Sequence, residues 1–234
     1  MTRLFIILLC GFVLGGGIPS AQAEQGEHLI VSGGVTMMQW EKYKAEPHDK
    51  WWLNFIRAAR IRIEELRAEY GPHTPITWFV YRPAYVRRVK EEPKDMFGII
   101  ESIPRAFGNV RLVYFSQTAE LIRYMNYGQP RDHYKILTFD YFGHSNRACF
   151  MFDYSNEIDS ASKVYLHEDE LSQIRKGIFA RRAEVVSWGC HTGESMSGKW
   201  RSATGIPMRG AIGKTYYQTH TLPIISTAGG RWTE

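Results

Sequence analysis

Two alternating periodicities constrain this chain more than any other feature. Short apolar runs rich in Val, Ile, Phe, Tyr and Trp are bounded by Gly, Pro or Ser. They fall at residues 28–31, 76–81, 110–115, 136–142 and 185–188. Between them lie segments with apolar residues at three- and four-residue steps, the signature of helices with one buried face. Residues 52–66 form the longest of these, with Asp49 as the expected N-cap and Tyr70-Gly71-Pro72 as the stop. Further helices are expected at 85–92, at 118–127 behind Ser116, at 167–180 and at 194–202. Residues 93–108 read as irregular with one helical turn. Residues 149–154 read as a short strand in a hairpin with the 136–142 strand. Residues 208–212 read as a last short strand, and the Thr-, Gly- and Ser-rich tail as a mobile arm.

Strands alternating with helices predict an α/β fold. We expect a three-layer α/β/α sandwich around a mostly parallel sheet, in one domain from residue 24 onward. Such sheets bind ligands beyond the carboxyl ends of their strands. Three segments stand at that position: the Ser32-Gly33-Gly34 turn, Gly143-His144-Ser145, and Gly189-Cys190.

Residues 1–23 have the form of a secretory signal peptide. Arg3 gives a positive start, residues 4–14 are apolar, and Ala21-Gln22-Ala23 is a small-x-small cleavage site before Glu24. The apolar run is short for a membrane span, so a secreted or periplasmic protein with no stable membrane insertion is expected. Removing this segment removes Cys10 and leaves Cys149 and Cys190, which in an oxidising compartment could form a disulfide. The net charge of +5 is spread along the chain, without a basic tail, and points to a solvated surface rather than to nucleic acid. Oligomeric state is not legible.

A strand ending in Gly-His and another ending in Gly-Cys suggest a thiol nucleophile and its base. Only the thiolate attacks well, and an imidazole can take its proton and later give it to a leaving amine. The backbone N–H groups of Cys190 and Ser145 are candidate oxyanion donors, with Gly143 and Gly189 letting the backbone approach. Asp140, on the His144 strand, would either orient the imidazole or pair with a nearby Arg or Lys. Other chemistries fit less well. Gly143-His144-Ser145 is part of G-x-S-x-G, but Arg147 stands at the final glycine. There is no H-E-x-x-H and no C-x-x-C, so neither metal nor cofactor is expected.

The segments T-F-D-Y-F-G-H-S-N and V-V-S-W-G-C-H-T-G-E, with histidine before cysteine on successive strands, resemble the caspase-like cysteine peptidases. That group takes in caspases, metacaspases, legumains, gingipains, separases and CHAT domains. Trp200, Thr204-Gly205 and residues 210–214 resemble the segment after the cysteine strand in CHAT-like members. The resemblance covers residues 136–213 and departs from the usual pattern at Ser145, where the family has glycine. It implies an endopeptidase that cleaves peptide or protein substrates through an acyl-enzyme on Cys190, with His144 as acid and base. It also implies substrate contacts from Ser32, Gly33 and the loop to Trp40, and from the region after Met208. Charges there are Glu41, Lys42, Arg209 and Lys214. The alternative is an inactive domain of the same fold, a binding or assembly module with a Cys149–Cys190 disulfide.

Overall fold

The computed structural model describes residues 24–38, 51–154 and 163–233. Its centre is a five-stranded sheet. The first four strands are β1 (Gly26–Ser32), β2 (Ile76–Tyr81), β3 (Val110–Phe115) and β4 (Lys135–Phe142). Three short strands come next: β5 (His144–Ser145), β6 (Cys149–Met151) and β7 (Tyr165–His167). The fifth strand of the sheet is β8 (Phe179–Ser187). The spatial order is β3-β2-β1-β4-β8, and every pairing is parallel.

Successive strand residues point to opposite faces, and both faces are covered. Leu29, Val31, Phe79, Tyr81, Phe139, Tyr141 and Val185 share one core. Ile30, Trp78, Val80, Phe142, Val186 and Trp188 share the other. The second core holds helices α1 (Asn54–Tyr70) and α3 (Met96–Phe107). The first holds α4 (Thr118–Tyr127) and α5 (Met196–Thr204). Helix α2 (Arg82–Glu91) sits between the two, giving Ala84 to one core and Tyr85 to the other. The result is an α/β/α sandwich, and among the described residues no helix is long and apolar enough to cross a membrane.

Several local expectations are corrected. Residues 93–108 are not irregular: α3 occupies most of them. The Asp95 carboxylate accepts a hydrogen bond from the Gly98 N–H at 2.9 Å and caps the helix, and Met96, Ile100 and Ile103 are buried at helical spacing. Packing on that stripe outweighs the poor propensity of Gly98 and Pro104. Residues 167–180 are not an α-helix. A 3₁₀ turn, Glu168–Gln173, comes after β7, and Gly177 at φ 80° leads into β8. Leu171, Ile174 and Ile178 are buried, but from the 3₁₀ turn and the segment after it rather than from one α-helical face. Helix α1 begins at Asn54 after Leu53 rather than behind Asp49, which lies outside the described residues. Residues 149–151 pair with β5 and β7, not with β4.

The tail is not a free arm. It folds back as β9 (Ala211–Ile212), β10 (Thr215–Tyr216), β11 (Ile224–Ile225) and β12 (Arg231–Trp232), paired antiparallel as β10 with β11 and β12 with β9. The proposed signal segment, residues 155–162 and the residues Trp40, Glu41 and Lys42 lie outside the described residues.

Candidate active site

Strands β1, β4 and β8 are neighbours, so their carboxyl ends deliver the Ser32–Gly34 turn, His144 and Cys190 to one edge of the sheet. Hydrogen bonds tie the three exits together. Gly33 N–H donates to Phe142 O at 2.8 Å, and Trp188 N–H donates to Tyr141 O at 2.9 Å. The Ser145 hydroxyl donates to Cys190 O at 2.7 Å. Gly189 packs directly on the His144 segment: a Cβ there would collide with Ser145 Oγ and stand 3.0 Å from Gly143 O. Glycine suits that position because the Ser145 side chain and the Gly143 carbonyl leave no room for a methyl.

His144 is half-buried. Its ring lies edge-on to Phe55 at 5.2 Å and stacks on Tyr154 at 4.6 Å. Its carbonyl accepts from the Tyr141 hydroxyl. Phe55, in the first turn of α1, therefore packs against the histidine ring.

Cys190 is also half-buried, and Cys190 and Cys149 are both free thiols. No bond joins them, so the disulfide of the binding-module alternative is not formed. Burial pushes the Cys149 thiol up to about 11, opposed by its bond to Asn146, so Cys149 is held neutral. Cys190 sits differently. The Thr215 N–H donates to its sulfur at 3.4 Å, and Thr215 Oγ1 stands at 3.6 Å. Among the described residues, the Cys190 N–H has no acceptor, which leaves it free to serve an incoming oxyanion. The next residue, His191, is in the left-handed region at φ 61°. Its N–H donates to Gly213 O at 2.7 Å, and its Nδ1 meets Glu194 Oε1 at 2.6 Å. The hydrogen bond from His191 holds the Glu194 carboxyl below its ordinary value. A non-glycine residue in that region is uncommon and is held there by its surroundings.

Of the two sequence readings of Asp140, pairing with a nearby Arg is the one the structure has, and Asp140 does not face His144. It is fully buried, takes Arg62 Nε at 3.0 Å and Trp188 Nε1 at 2.8 Å, and belongs to the α1 face of the sheet. Phe55, which carries His144, and Arg62, which carries Asp140, are seven residues apart on α1, or about 10 Å along its axis. Burial pushes the Asp140 carboxyl up while Arg62 pulls against it. Ser32 is not free for substrate: its hydroxyl donates to Phe55 O at 3.3 Å and accepts from Trp78 Nε1 at 3.0 Å. Gly33 is buried, with its carbonyl taken by the Tyr85 hydroxyl at 3.1 Å. Arg209 lies over the rings of Trp188 and Trp232, at 5.3 and 5.6 Å. Lys214 is exposed.

Thr215 and Tyr217 went unmarked in the sequence. The Tyr217 hydroxyl accepts from Gly143 N–H at 3.0 Å and donates to Trp188 O at 3.4 Å, bridging the histidine and cysteine exits. Only the neighbouring aromatics of Thr215-Tyr216-Tyr217 hinted at a packed element. Among the described residues, no group of three or more His, Cys, Asp or Glu is placed to hold a metal ion. Comparison with protein-family models, with curated proteins and with solved structures found no match to this chain.

Proposed function

We propose that this protein is a cysteine endopeptidase of the caspase-like kind, with Cys190 as nucleophile and His144 as acid and base. One observation carries the reading: adjacent parallel strands lead directly into His144 and Cys190, and their exits are bonded to each other through Ser145 Oγ and Cys190 O at 2.7 Å. In the proposed reaction the imidazole takes the thiol proton and the sulfur bonds to the scissile carbonyl carbon. The Cys190 N–H, with that of Ser145, supports the oxyanion. The C–N bond then breaks, with the imidazole protonating the departing amine, and water releases the acyl group. Asp140 has no part in these steps.

We also propose that the chain is exported and loses residues 1–23. This rests on the n-region, apolar run and cleavage site in the sequence. The mature N-terminus should be Glu24, and an intact Met1 on protein recovered from outside the cytoplasm would contradict the proposal.

The test of activity is digestion of a proteome-derived peptide library, with new N-termini read by mass spectrometry. Cleavage should vanish in Cys190→Ala and fall by at least about a hundredfold in His144→Ala. A wild-type digest indistinguishable from Cys190→Ala would sink the peptidase reading.

A further inference from the structure

The tail sets one residue against the sulfur on which the chemistry would turn. Thr215 is 2 % exposed and opens β10, where Ile225 of β11 lies opposite it. Three of its atoms face Cys190 Sγ: the N–H at 3.4 Å, Oγ1 at 3.6 Å and the carbonyl O at 3.9 Å. The two shorter contacts match both states of a thiol. Oγ1–H donates to Trp188 O at 2.9 Å, so an Oγ1 lone pair is left for the S–H of the neutral form. The N–H can only donate, and it interacts most strongly when the sulfur is charged. The Trp188 carbonyl has a second donor, the Tyr217 hydroxyl, so it remains satisfied if Oγ1–H turns from it to the sulfur. Lys214 is fixed on both sides, donating to Thr227 Oγ1 at 2.8 Å and accepting from Ser226 N–H at 2.9 Å.

We propose that Thr215 is a further catalytic residue of this centre, holding the ionised Cys190 sulfur with its N–H and its hydroxyl after the thiol proton has left for His144. The proposal rests on the reading of Cys190 as the nucleophile. Tyr217 is the positioning residue: it keeps the Trp188 carbonyl satisfied while the Thr215 hydroxyl changes partner.

The test reads ionisation, not peptide cleavage. In the full chain carrying Cys149→Ser, alkylation of Cys190 by iodoacetamide is tracked by intact mass from pH 6 to pH 10. Thr215→Val keeps the shape and the N–H but removes the hydroxyl. It should slow alkylation about fivefold at pH 7, since hydrogen bonds to charged groups are among the stronger ones. The two rates should converge toward the alkaline end of the range, as the proposed effect is on the thiolate fraction at a given pH. Thr215→Ser should stay within about twofold of the parent throughout. Equal rates at pH 7 would overturn the proposal, and so would a ratio that stays constant to pH 10, which would signal altered access. Should Thr215→Val lose its circular dichroism, Thr215→Ala gives the same comparison. A parent that cleaves no peptide yet shows the Thr215→Val effect would sink the peptidase reading alone. A parent that cleaves peptides with no such effect would sink this one alone.

Discussion

Replacing Asp140 with Asn should destabilise the protein by about 3 kcal/mol and leave Cys190 chemistry nearly untouched. Asp140 is 0 % exposed and its carboxylate faces Arg62, whose side chain is only 7 % exposed. Removing one partner of a buried pair costs about 3–5 kcal/mol, because the other charge stays in low dielectric. Arg62 keeps Glu184 at 3.0 Å and Glu65 at 3.4 Å, but both carboxylates are nearly half-exposed, and each contact is worth only about 0–1 kcal/mol. The low end of the range therefore applies. With a urea m-value of about 3 kcal/mol/M, the midpoint should fall by about 1 M. Replacing the pair together, Arg62→Met with Asp140→Leu, should recover most of the loss. Iodoacetamide labelling of Cys190 in native buffer supplies the second readout and should change less than about twofold. A midpoint within about 0.3 M of wild type, together with a changed pH profile of labelling, would refute the reasoning. It would mean that the carboxylate acts on His144 after all.

Other perturbations separate the remaining roles. His28 is fully buried, with both ring nitrogens bonded to threonine hydroxyls, and burial, assisted by Arg62, lowers its pKa from 6.5 to about 4. The unfolded chain therefore takes up the proton first. This contribution to stability is whole above pH 6.5 and lost as pH falls toward 4, by about 3 kcal/mol in all, and His28→Gln should flatten that part of a urea-midpoint titration. Gly189→Ala forces a methyl against Ser145 Oγ and Gly143 O, where the strand exits have no room to give. It should cost about 1–3 kcal/mol in urea unfolding and slow Cys190 labelling, and a variant matching wild type in both would show that the exits can part. Tyr217→Phe strips the acceptor from Gly143 N–H and one donor from Trp188 O, costing about 1–3 kcal/mol in the same assay.

The central strands were legible because each is a concentrated apolar run, and burial on both faces leaves little choice of state. The direction of their carboxyl ends came from the alternation with helices, which is why His144 and Cys190 could be placed on one edge. Helix α3 was missed because Gly98 and Pro104 are local breakers, while the packing that overrides them is tertiary. The 167–180 helix was wrongly read because Leu171, Ile174 and Ile178 imitate a helical stripe although Gly177 interrupts it. Asp140 had two readings in the sequence. The deciding partner, Arg62, is 78 residues away and meets it only once α1 lies on the sheet. Thr215 had no side-chain signature, because half of its offer to the sulfur is a backbone N–H.

The sheet order has a dynamic consequence. His144 comes after an interior strand, hydrogen-bonded on both sides by β1 and β8. Cys190 comes after an outer strand. Beyond it, among the described residues, the chain pairs through the Arg209 crossing, with Ser187 N–H to Arg209 O and Arg209 N–H to Val185 O. Outer strands exchange their amide protons through partial openings well below the global unfolding free energy. His144 is thus anchored beyond an interior strand and Cys190 beyond an edge strand of the five-stranded sheet. The amide protons of β8 should therefore exchange ahead of those of β4, although the two strands are paired along most of their length.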